Sequence, residues 1–69
     1  MKSTTSIRAI NAAKNMAEAK EICRDIRQTF LAVEAKYGPD HHITKDFSDM
    51  YDNAVDEMSY LYNAGKLAA

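Results

Sequence analysis

Sixty-nine residues with nine Lys/Arg and ten Asp/Glu, net −1, allow one domain, and a thinly buried one: a chain this short buries only about 60% of the surface its unfolded form exposes. Its one cysteine, Cys23, excludes an internal disulfide, and the run Asp40-His41-His42 lacks the ligand spacing of a structural zinc site. With covalent and metal staples excluded, oligomerisation is the expected remaining source of stability.

No apolar run approaches the roughly 20 residues that span a bilayer, so no membrane partner is expected, and a single thiol fits a reducing compartment. Residues 1–17 contain Lys2, Arg8 and Lys14 and no acid, a composition shared with transit peptides. The apolar pattern nevertheless runs on past Glu18, and the expected location is the cytoplasm.

Taken in chain order, the first element is a long helix over about residues 6–37. Ala9, Ala12, Met16, Ala19, Cys23, Ile26, Phe30, Val33 and Tyr37 recur in alternating steps of three and four, the seam of a helix packed along its length against another. Ser3, Thr4, Thr5 and Ser6 offer N-caps. Ile10, Ala17 and Leu31 fall outside the main arc and add apolar surface on a second side. Gly38 stands where a C′ residue belongs, and Pro39 ends the helix, giving a turn over 38–40.

The second helix is expected over about residues 41–66. Ile43, Phe47, Met50, Tyr51, Ala54, Val55, Met58, Leu61 and Tyr62 fall on one broad arc, with Asp46, Asp49, Asp52, Asp56 and Glu57 opposite. No alternating β-branched pattern is present. The expected class is all-α: residues 1–69 as a single domain, an antiparallel two-helix hairpin that completes a helical bundle by oligomerisation, as a dimer or higher.

Charge divides between the helices. Residues 1–37 carry seven basic and four acidic groups, net +3, and residues 38–69 carry two and six, net −4. In an antiparallel pair turning at Pro39, Arg24 comes level with Asp56 and Glu57, Arg27 with Asp52 and Asn53, and Lys20 with Tyr60. Cross-helix ion pairs are therefore expected in the middle of the hairpin. At the free end Arg8 and Lys14 lie level with Lys66, with Asn11 and Asn15 nearby, and the first helix starts with positive charge where the macrodipole favours acids. Arg8, Asn11, Lys14, Asn15 and Lys66 are thus a candidate site for an anion or an acidic partner.

Chemistry-bearing patterns are scarce. Cys23 sits on the seam beside Ile22 and Ile26 and reads as a small buried hydrophobe. Adjacent His41 and His42 diverge on a helix and read as a solvated helix start, so no metal site is expected. The acid row of the second helix reads as a solvated face, since paired catalytic carboxylates need a water-excluding pocket. No Gly-rich phosphate loop is present and no cofactor is expected; the chain reads as not an enzyme.

Surplus apolar surface rich in Tyr and Met points to binding. The expected function is a small helical adaptor or inhibitor, of the kind found among accessory proteins of bacteria and their viruses, acting through protein–protein contacts as a homo-oligomer. Ile10, Leu31, Phe47, Tyr51, Met58, Tyr60 and Tyr62 are its expected contact residues. The alternative is a nucleic-acid or nucleotide binder that uses the basic end of the first helix.

Overall fold

The computed structural model describes residues 4–68, so Lys2 and Ser3 lie outside the described residues. The class is all-α, with three helices in the order α1 (Thr4–Asn11), α2 (Met16–Tyr37) and α3 (His42–Asn63). The continuous first helix expected over 6–37 is therefore two helices, and the second is shorter than 41–66.

The break lies at Asn15, whose extended backbone (φ −155°, ψ 175°) makes it the N-cap of α2. Its Oδ1 accepts the Glu18 amide at 2.9 Å, which meets one of the orphan donors of a helix start. A second orphan, the Met16 amide, donates to the Ala68 carbonyl at 2.6 Å, and Asn15 and Ala68 form an isolated parallel bridge. The segment after α3 thus docks on the α1–α2 junction, with Leu67 buried.

Breaking the helix lets α1 turn onto α3, its main neighbour. Eight residues make a marginal helix in water, and packing holds this one: Ile10 is fully buried. Asn11 Nδ2 donates to the Ile7 carbonyl at 2.8 Å and to Glu57 Oε2 at 2.6 Å. The Ile10 side chain, which a straight helix would leave wet, becomes core.

Residues 38–41 connect α2 to α3. Gly38, at φ 88°, ψ 163°, caps α2 with its amide donating to the Glu34 carbonyl at 2.8 Å. The buried Thr44 hydroxyl donates to the Gly38 carbonyl at 2.7 Å, tying the first turn of α3 back to the end of α2. His41 is the N-cap of α3, its Nδ1 accepting the Ile43 amide at 3.1 Å. At the far end Lys66 N–H donates to the Leu61 carbonyl (2.9 Å) and Gly65 N–H to the Tyr62 carbonyl (3.1 Å), with Gly65 at φ 74°. That double bond is a Schellman motif, which ends α3 before Lys66.

The core between the helices combines small side chains with branched aliphatic ones. Ile10, Ala19, Cys23, Ala54, Leu61 and Leu67 are buried, while Met16, Ile22, Ile26, Tyr51, Val55 and Met58 are half-buried around them. The chain measures 38 × 21 × 15 Å along its principal axes. No helix among the described residues is long and apolar enough to cross a membrane.

Candidate functional site

The described surface is uneven on the two sides of the α2–α3 pair. On one side α1 and the 66–68 segment cover the helices. On the other an open groove runs between them in two adjoining stretches of about 370 Å³ each, one lined by Cys23, Arg24, Arg27, Tyr51, Val55 and Met58 and the other by Met16, Ala17 and Tyr62, with Lys20 common to both. Rising numbers along α2 meet falling numbers along α3, so Met16 lies beside Tyr62 and Arg27 towards Tyr51. From Met16 to Arg27 the groove is about 16 Å long.

Its construction follows from helical spacing. Lys20, Arg24 and Arg27 stand at i, i+4 and i+7 and form one edge of α2; Cys23 lies inward of them. Tyr51, Val55, Met58 and Tyr62 repeat at intervals of three and four and form the α3 wall. The floor is apolar and the α2 edge cationic. Burial strips water from the Cys23 thiol and raises its pKa, the reverse of what a reactive nucleophile requires.

The expected cross-helix ion pairs are a correction. Among the described residues the ion pair is Arg24 Nη1 to Glu21 Oε2 at 3.4 Å, within α2 and well exposed. Arg24 does not reach Asp56 or Glu57, nor Arg27 Asp52. Level height along two helices does not ensure contact, because the cations stand over the groove and the acids are further round α3.

The expected contact residues divide. Tyr51, Met58 and Tyr62 line the groove, and Tyr62 is 50% exposed. Leu31, exposed, lies one turn beyond Arg27, about 40° further round α2. Phe47 is half-buried. Tyr60 is exposed away from the groove, with Lys66 Nζ 5.9 Å from its ring centroid. Ile10 is the correction, since its burial in the core leaves no surface for a partner.

At the basic end Arg8, Lys14 and Lys66 are exposed, but both amides are engaged within the chain. Asn15 caps α2, and Asn11 is bound to the acid Glu57. The expected divergence of His41 and His42 is a correction: His41 is the extended N-cap of α3 rather than a helical residue, so its ring stacks on that of His42 at 4.5 Å and lies 4.8 Å from that of Tyr37. No group of three or more His, Cys, Asp or Glu that could hold a metal occurs among the described residues.

Lys20, Arg24 and Arg27 are the site residues that sequence reasoning missed. Their one-face spacing was visible, but pairing them with the acids of α3 concealed it. No protein-family model, curated protein or solved structure matches this chain.

Proposed function

We propose that the chain is a small non-enzymatic binding or regulatory protein of the cytoplasm. In this reading α2 and α3 are an antiparallel hairpin whose open groove makes protein–protein contacts, and the protein works as an oligomer. The observation that carries this is the groove itself: an apolar floor with Tyr51, Met58 and Tyr62 beside a cationic edge. Tyrosine and arginine are the residues enriched where interfaces concentrate their energy. Burial that keeps the Cys23 thiol protonated argues against this residue as a nucleophile. The anion-binding alternative at the α1 end has less support, because Asn11 and Asn15 already serve the fold and Glu57 lies against Asn11.

The test is positional. With p-benzoylphenylalanine in place of Tyr62, irradiation in the host cell should give a covalent protein adduct. The same group in place of Thr29, exposed and about 160° round α2 from Arg27, should give little. Equal yields at both positions would refute a groove-centred contact.

A further inference from the structure

The groove has opposite charge on its two edges. Lys20, Arg24 and Arg27 border it on α2. On α3, beyond Val55, the surface turns acidic: Asp52 lies about 60° round the helix from Val55 and Asp56 about 40° further, and both are exposed. The apolar floor keeps the two edges apart, so within the chain the cations and these acids do not meet. Glu57, bonded to Asn11 of α1, lies almost diametrically across α3 from Val55, which leaves the groove side clear of α1.

Resting on the reading that this groove is a protein-contact face, we propose that its occupant is a second copy of this chain, seated by a two-fold axis parallel to the helices. Such an axis lays α2 of each copy over α3 of the other at unchanged height. The cationic edge then meets the acidic edge, and each contact is made twice. The perpendicular in-plane axis would lay α2 on α2 and oppose like charges. Because the groove sets Arg24 and Arg27 alongside Tyr51, Val55 and Met58, the parallel axis brings Arg27 to Asp52 of the second copy and Arg24 to Asp56. These are the pairs that numbering along the chain leads one to expect inside a single hairpin.

Charge complementarity selects a second copy over other occupants. A nucleic-acid strand or a uniformly acidic peptide would satisfy the α2 edge but set its own negative charge against Asp52 and Asp56. A copy of this face satisfies both edges. It also covers Tyr51, Val55 and Met58, which one thin chain leaves half-buried.

Sedimentation velocity of the full chain tests this. Wild type should run at twice 7.7 kDa at high micromolar concentration and shift to monomer in molar salt, since the edge pairs are screened. The double variants Arg24→Asp/Arg27→Asp and Asp52→Arg/Asp56→Arg should each be monomeric. Their equimolar mixture should regain the dimer mass, with circular dichroism reporting the helix content of each. Four results would overturn the proposal: a wild type monomeric up to millimolar concentration, a wild-type dimer unmoved by molar salt, reversed variants that still dimerise separately, or folded variants whose mixture stays monomeric. Should a variant fail to fold, the wild-type mass and its loss in salt still decide. A monomeric wild type whose Tyr62 adduct contains a different protein would end the second-copy proposal while leaving the groove-contact reading standing.

Discussion

Asn15 starts α2 through one side chain. Its Oδ1 meets the Glu18 amide, and its extended backbone turns the chain so that Met16 can receive Ala68. Asn15→Ala should cost about 1 kcal/mol, read as a lower urea midpoint at unchanged m-value. Asn15→Asp keeps the acceptor and adds negative charge at the helix start, so it should restore that loss. Cys23 gives a pH dependence. Its raised pKa means that the folded chain retains a proton the unfolded chain releases. The contribution is fully present below the ordinary thiol range and is lost as pH rises through that range towards the folded value. Between about pH 8 and 10 the wild type should lose stability relative to its own neutral-pH value more steeply than Cys23→Ala does. Parallel urea-midpoint profiles for the two proteins would remove this role for the thiol.

At the scale of elements, the two glycines end their helices differently. A Cβ would meet nothing within 4 Å at either Gly38 or Gly65, so the cost of alanine at each is a backbone cost. Gly65, at φ 74°, ends α3 in the Schellman motif, and alanine there should cost about 1 kcal/mol. Gly38 lies at φ 88°, ψ 163°, a region open essentially to glycine, where the strain is about 1–3 kcal/mol. Thermal melts should rank Gly38→Ala below Gly65→Ala. The opposite order would mean that docking of Leu67, which follows Gly65, depends on that turn more than the joint between α2 and α3 depends on Gly38.

At the scale of the whole molecule, thinness governs. Small side chains at Ala19, Cys23 and Ala54 are buried where α2 and α3 meet, and larger ones such as Tyr51 and Met58 are left half-buried around them. Folding α1 and Leu67 onto one side buries part of that surplus. The other side keeps its groove, and covering it is what the proposed two-fold pairing would add. Photo-crosslinking at Tyr62 and the charge-reversal experiment address this level, because each reads the presence of a second molecule rather than the stability of one.

The helical class, the turn at Gly38-Pro39 and the Tyr/Met character of the groove wall were legible because each depends on local spacing. The Asn15–Glu18 capping pattern and Gly65 were equally present in the sequence, but a cap signal breaks a helix only when both sides have somewhere better to pack. Here that depended on Ile10 reaching α3 and Ala68 reaching Met16, contacts between segments distant along the chain. Charge showed the same division. Sequence number gave the height of Arg24 and Asp56 along the helices, whereas tertiary structure decided their position around them. That helices form, and that their apolar stripes exceed one contact, follows from spacing along the chain. Which stripe α1 covers, and which remains an open groove between opposite charges, is set by packing across the molecule.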